Sequence, residues 1–279
     1  PRRRGRWIWR CHIDASHPDP RVWRYLHGHV ATYDASVFSL PAFVRPLPHS
    51  SYVIPPAIDP LSDKNRELTD KEVRGAGASM GLDPERPLIV QISRFDRFKD
   101  PVGVITAYRL AKGFVPGLQL VLAGGGAADD PEGAEVLHEV REAAGDDPDI
   151  FVAELPPRDD VTVNALQRSA DIVVQKSVRE GFGLTVAEGL WKGRPVIGGD
   201  TGGIRLQVTN YHTGFLVNSP EGAALRIRYL MHNREQRLEM GTKAREFTRR
   251  SFLLTRQLRE YLTLMAALRS GAGERITLS

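Results

Sequence analysis

The stretch Arg179-Glu-Gly-Phe-Gly-Leu-Thr-Val-Ala-Glu-Gly-Leu-Trp-Lys-Gly-Arg-Pro-Val-Ile-Gly-Gly-Asp-Thr-Gly-Gly-Ile204 carries a glycine-flanked helix start, a short strand and a second Gly-Gly turn. Gly181 and Gly183 leave the backbone uncrowded where the apolar-periodic run Leu184, Val186, Ala187, Leu190, Trp191 begins a helix. Free amides and the positive end of the helix dipole can face an anion there, and a phosphate suits the place. Glu180 falls in the loop ahead of this helix, and Glu188, eight positions on, more than a turn inside it. At ~1.5 Å per residue the two carboxylates stand roughly 10 Å apart, suited to different parts of one ligand.

Working outward, 88–93, 118–123, 150–153, 171–175, 194–198 and 214–217 read as strands with helical runs between them. This alternation predicts a doubly wound parallel sheet. Periodicity over 220–232, 234–250 and 253–268 predicts three closing helices. The strand 88–93 runs into Arg94-Phe-Asp-Arg-Phe-Lys99-Asp-Pro, so Arg94 and Lys99 project from a strand end, where α/β proteins bind ligands. A guanidinium fork and a mobile ammonium together suit a diphosphate. The competing assignment is a surface ion-pair set with Asp96 and Asp100, of the kind that contributes little.

Before residue 57 the pattern differs: 7–13 and 35–40 read as strands with one helix between them, too little for a complete nucleotide-binding domain. Proline- and serine-rich sequence over 46–63 suits a hinge. The expected division is 1–57 and 58–279, with the closing helices in the second part. Gly124-Gly-Gly-Ala-Ala-Asp129 lacks the last glycine of a dinucleotide fingerprint and reads as a turn. Asp147-Pro-Asp149, literally an Asp-x-Asp, also reads as a turn because of its central proline.

Composition narrows the classes. With 279 residues and 41% hydrophobic content the chain buries one large core and part of a second. No apolar run approaches a membrane span, and no apolar signal segment follows Pro1-Arg-Arg-Arg-Gly-Arg, so the expectation is a cytoplasmic protein without membrane partners. The single cysteine, Cys11, excludes an internal disulfide and suits a reducing compartment. The net charge of +4 is spread among 34 acidic residues with no nucleic-acid module, so no nucleic-acid partner is expected.

Ser93-Arg-Phe-Asp-Arg-Phe-Lys-Asp100, the Glu-x7-Glu element of Glu180 and Glu188, and the Thr201-Gly-Gly-Ile turn resemble the donor site of retaining GT-B glycosyltransferases of family 4. Trp9-Arg-Cys-His-Ile-Asp14, Pro55-Pro-Ala-Ile-Asp-Pro-Leu-Ser-Asp-Lys-Asn65, Asp129-Asp-Pro-Glu-Gly133 and Val163-Asn-Ala-Leu-Gln-Arg-Ser-Ala-Asp171 are similar to trehalose synthases within that group. The resemblance covers nearly the whole chain. It implies a GT-B fold with one complete Rossmann-like donor domain, preceded by the closing remnant of an acceptor-side domain. The family has well over a hundred further residues before this point, so the resemblance implies an N-terminally truncated relative without the family's glycine-rich phosphate loop.

The implied reaction moves glucose from ADP-glucose or UDP-glucose to glucose or a related sugar acceptor, with retention, giving trehalose. In it Arg94 and Lys99 stabilise the departing diphosphate, Glu180 holds hydroxyls of the transferred sugar, and Glu188 holds the ribose. Gly181, Phe182 and Gly183 offer amides, with Leu184 and Thr185 beside them at the helix start. His12, at the end of a strand of the first part, would help hold the sugar, with Asp14 a weaker candidate. Leu155, in Glu154-Leu-Pro-Pro157, would set backbone groups near the base, although an ordinary strand-to-helix turn explains that segment nearly as well. No cofactor and no essential metal are expected.

Two other classes stay open. A glycoside hydrolase also uses two carboxylates, but these lie within about 5 to 9.5 Å across the bond. A non-catalytic nucleotide-sugar-binding module or fragment would retain donor binding without turnover, because transfer needs an acceptor domain that excludes water. Phe252, Leu253, Leu258, Tyr261 and Leu262 would lack part of their cover in a truncated relative and could drive homo-oligomer formation.

Overall fold

Strand 88–93 is apolar at nearly every position, as a strand covered on both faces must be. The computed structural model describes residues 5–125 and 131–270, and it forms two compact units, Pro1–Ala57 with Phe252–Ser279, and Ile58–Ser251. Of the segment 124–129 expected to be a turn, Gly124 and Gly125 end a strand, and the rest of it lies outside the described residues together with the start of 129–133.

The first unit holds β1 (Ile8–Arg10), α1 (Pro20–Val30), β2 (Ala35–Phe38) and β3 (Ser51–Val53), the strands pairing in parallel in the order β1-β2-β3. Asp19 starts α1 by accepting from the Arg21 and Val22 amides, with Pro20 in the first helical position. Strand β3 falls inside the segment expected to be a hinge. Three strand residues between Pro48 and Pro55-Pro56 give too short a pattern to read locally, and pairing with the buried β2 makes the strand.

The second unit holds α2 (Asp70–Ser79), β4 (Leu88–Ile92), α3 (Pro101–Lys112), β5 (Gln119–Gly125), α4 (Pro131–Ala144), β6 (Ile150–Leu155), α5 (Asp160–Ser169), β7 (Ile172–Gln175), α6 (Leu184–Trp191), β8 (Val196–Gly199), α7 (Ile204–Gln207), β9 (Gly214–Val217), α8 (Pro220–His232) and α9 (Arg234–Ser251). The six strands are parallel in the order β6-β5-β4-β7-β8-β9. Side chains of β4 divide by parity. Ile89 joins the core beneath α3, α4 and α8, whereas Leu88, Val90 and Ile92 join the core beneath α5 and α6. The expected doubly wound sheet is therefore present, its strand bounds within one to two residues of those read from sequence.

The last helix, α10 (Leu254–Ser270), belongs to the first unit, not to the second as the expected division had it. Leu264 packs with Val37 and Ile54, and Arg256 donates to the carbonyls of Pro55 at 2.9 Å and Pro56 at 3.1 Å. Of the residues expected to lose cover, Phe252 and Leu253 are buried, Tyr261 is half-buried, and Leu258 and Leu262 are exposed. No helix among the described residues is long and apolar enough to cross a membrane.

Candidate active site

Neighbouring strands β4 and β7 leave the sheet in opposite directions: β4 leads to α3 on one face, β7 to α6 on the other. Such a switch point opens a crevice at the strand C-termini. Both candidate loops end there. After β4 a single 3-10 turn, Arg97–Lys99, precedes α3; after β7 the segment from Lys176 to Gly183 precedes α6.

Across this crevice Lys99 Nζ meets Glu180 Oε2 at 2.7 Å, the two side chains being 16% and 8% exposed. Ser177 Oγ donates to the same Glu180 oxygen at 3.2 Å and accepts from Gln175 Nε2 at 3.1 Å. The two loops are also joined through backbone, the Val178 amide donating to the Phe98 carbonyl at 2.9 Å. Lys99 therefore pairs with Glu180 and not with Asp100, its neighbour in sequence.

The shape of the β7 loop depends on glycine. Gly183 caps α6 with φ +79°, a conformation other residues adopt only with strain. The loop after β8 packs directly on it, with the Gly203 amide donating to the Gly181 carbonyl at 2.9 Å. A Cβ on Gly203 would run into the Phe182 main chain, which explains the second glycine turn. Gln207, fully buried, donates from Nε2 to the carbonyls of Phe182 at 2.6 Å and Gly203 at 3.1 Å. Leu184 is exposed and Thr185 half-buried in the first turn of α6, where Thr185 Oγ1 donates to Gln175 at 3.4 Å.

Glu188, on α6, is buried, and its Oε2 has no hydrogen-bond partner among the described residues. Burial pushes its carboxyl above the usual range, opposed by the nearby charges of Lys192 and Lys64. Lys192 Nζ donates to Asn65 Oδ1 at 3.0 Å and to the Glu188 carbonyl at 3.2 Å, and burial lowers its pKa. A buried carboxylate oxygen without a donor is costly, and hydroxyls of a bound ligand would satisfy it.

The remaining candidates are placed as follows. Leu155 is buried at the C-terminal end of β6, along the same edge of the sheet as the crevice. Arg94 is 65% exposed and pairs with Asp96 at 3.1 Å, so for this residue the surface ion pair is formed. His12 is exposed in the first unit, just after β1. Asp147 and Asp149 form a turn at the opposite, N-terminal end of β6, both held by Lys112, at 2.7 and 3.0 Å. Among the described residues no three His, Cys, Asp or Glu side chains gather as a metal site.

Sequence reasoning passed over Gln91, Ser177, Gln207, Asn65 and Lys192. One signal was available for Gln91, a lone amide within the apolar run Leu-Ile-Val-Gln-Ile, which must find a partner once both faces are covered. That partner is the carbonyl of Lys99, at 2.8 Å.

A six-stranded doubly wound unit with its charged pair at the switch point, preceded by a smaller parallel α/β unit, defines the GT-B class of architecture. Sucrose-phosphate synthase from Thermosynechococcus elongatus matches with a TM-score of 0.78 at 21% identity, over 95% of this chain and 68% of that one. Anabaena HepE, solved in complex with UDP and glucose, matches with a TM-score of 0.78 at 16% identity, over 93% of this chain and 71% of that one. Residues 78–247 match the model of the glycosyl transferases group 1, and the chain belongs to that family. Residues 1–45 match the trehalose synthase N-terminal domain. Trehalose synthases of Pyrococcus horikoshii and Rubrobacter xylanophilus are 43% and 45% identical over 94% of this chain, which spans 64% of their length.

Proposed function

We propose that the chain carries the donor site of a retaining glucosyltransferase that moves glucose from ADP-glucose or UDP-glucose to glucose, forming trehalose. The observation that carries this reading is the Lys99–Glu180 pair at the switch point, just ahead of the helix that holds Glu188, whose buried Oε2 has no partner among the described residues. Lys99, with Arg94, neutralises the diphosphate as its bond to the sugar breaks, which lowers the barrier by stabilising the leaving group. Glu180 accepts hydroxyls of the transferred glucose, and Glu188 accepts those of the ribose. Amides of Gly181, Phe182 and Gly183 face the sugar and diphosphate, with Leu184 and Thr185 behind them and the backbone of Leu155 toward the base. His12 is assigned to the sugar by resemblance alone. The reading gives no step to a metal, so transfer is expected to persist in excess EDTA.

The test is nucleotide diphosphate release from ADP-glucose and UDP-glucose by the 279-residue chain, with and without glucose, and chromatography of the sugar product. Glucose-dependent release with trehalose formed supports the reading. Binding of UDP or ADP without release favours a non-catalytic donor-binding module, and hydrolysis of a glucoside without nucleotide binding would favour the hydrolase.

A further inference from the structure

Lys99 is useful to a diphosphate only if its ammonium is held at the crevice, and its own long side chain does not ensure that. The backbone on either side of it is fastened separately. The Lys99 carbonyl accepts from Gln91 Nε2 at 2.8 Å, inside the sheet. The next residue, Asp100, takes the left-handed conformation, φ +51° and ψ +50°, which costs a non-glycine residue free energy and persists only where neighbours enforce it. Two contacts do so here. Asp100 Oδ1 accepts the Gly103 amide at 3.1 Å and starts α3, and Asp100 Oδ2 is paired with Lys176. A Cβ at Gly103 would occupy the place of the Asp100 carboxylate, so the glycine makes room for the arrangement.

Lys176 is the first residue after β7, its side chain 6% exposed, and it opens the loop that carries Ser177 and Glu180. It thus joins the β7 loop to the β4 loop at a third point, one residue beyond Lys99 on one side and four before Glu180 on the other. We propose that Lys176 and Asp100 form a positioning pair that holds the Lys99 ammonium for the donor diphosphate, touching neither phosphate nor sugar themselves; this rests on the donor-site reading above. Lys176 borders a cavity of about 180 Å³ shared with Asp200, Thr201 and Asn218. Water entering from it can hydrate Asp100 once the ammonium is removed, so loss of the pair loosens the crevice without leaving a dry buried charge.

The test uses the whole chain with K176M, K176R, D100N and the double variant K176M/D100N. Asparagine caps helices as well as aspartate does, so D100N keeps the start of α3 and loses only the ion pair. Two readouts are taken. Acetylation of Lys99 by an N-hydroxysuccinimide ester is followed by mass spectrometry, with Lys112 as internal reference because its partners Asp147 and Asp149 are untouched. Dissociation constants are measured for UDP and ADP beside uridine and adenosine.

K176M and D100N are expected to raise Lys99 acetylation several-fold relative to Lys112. They are also expected to weaken diphosphate binding about tenfold with nucleoside binding unchanged, the size of one charge-assisted bond. K176R is expected to restore both readouts, and the double variant to be no worse than either single one. Unchanged Lys99 acetylation in folded D100N overturns the proposal, as does equal weakening of nucleotide and nucleoside. Should the unaltered chain bind neither UDP nor ADP, the donor assignment fails, while the acetylation readout still decides whether the pair places Lys99.

Discussion

At the residue scale the two glutamates of the Glu-x7-Glu element are chemically unlike. Glu180 is held by Lys99 and Ser177, whereas Glu188 keeps a buried oxygen without a donor among the described residues. Lys99→Ala and Glu180→Ala are each expected to lower glucosyl transfer by about a hundredfold or more, read as nucleotide diphosphate release. Activity within threefold of the unaltered chain in both would remove the site assignment. Because burial raises the Glu188 pKa, the protonated acid persists to higher pH than for an ordinary glutamate. In the proposed role Glu188 accepts ribose hydroxyls as the carboxylate, so UDP affinity is expected to rise with pH through that raised pKa and then level off. Stability carries the opposite sign: the folded state binds the proton more tightly than the unfolded one, so this contribution is lost as pH rises through the folded-state pKa. Titrations of UDP into Glu188→Gln are expected to be weaker and flat with pH.

The β7 loop and the start of α6 form one element, whose geometry depends on a single left-handed residue. Gly183→Ala is expected to destabilise by about 1–2 kcal/mol, the cost of a Cβ in the left-handed region. Its Cβ would also lie 3.2 Å from Glu180 Cγ, so Glu180 must shift as well. Thermal unfolding and UDP-glucose affinity should therefore both fall, and a fall in stability alone would show that Glu180 is not positioned by this turn. Strands of this unit were legible in sequence because both faces are covered and nearly every position is apolar. Strand β3 was not legible, being three residues between prolines, and α2 was passed over although Thr69 and Glu72 form a capping box with the Thr-x-x-Glu spacing.

For the whole molecule, every member of the two larger cores falls within Ile58–Ser251. Residues 58–251 expressed alone are expected to unfold in one cooperative transition and to bind UDP within about threefold of the full chain, since Lys99, Glu180, Glu188 and Leu155 all lie inside that span. Loss of UDP binding in a folded 58–251 would move part of the nucleotide site into the first unit. Transfer itself is expected only from the longer chain, because closure against an acceptor wall is what keeps water from the donor.

Sequence alone determined the class of the second unit and the neighbourhood of its site. Continuous apolar strand runs, a glycine helix start and basic residues at a strand end are written within spans of a few residues, where covalent connection and backbone sterics act directly. Tertiary structure decided the partners. Lys99 had Asp100 beside it and took Glu180, 81 residues away; Asp100 took Lys176; Gln207 reached back to the glycine loop; and α10 joined the first unit. The physical reason is the strand order, which sets β4 beside β7 and brings their two loops over one crevice, a proximity no local pattern encodes.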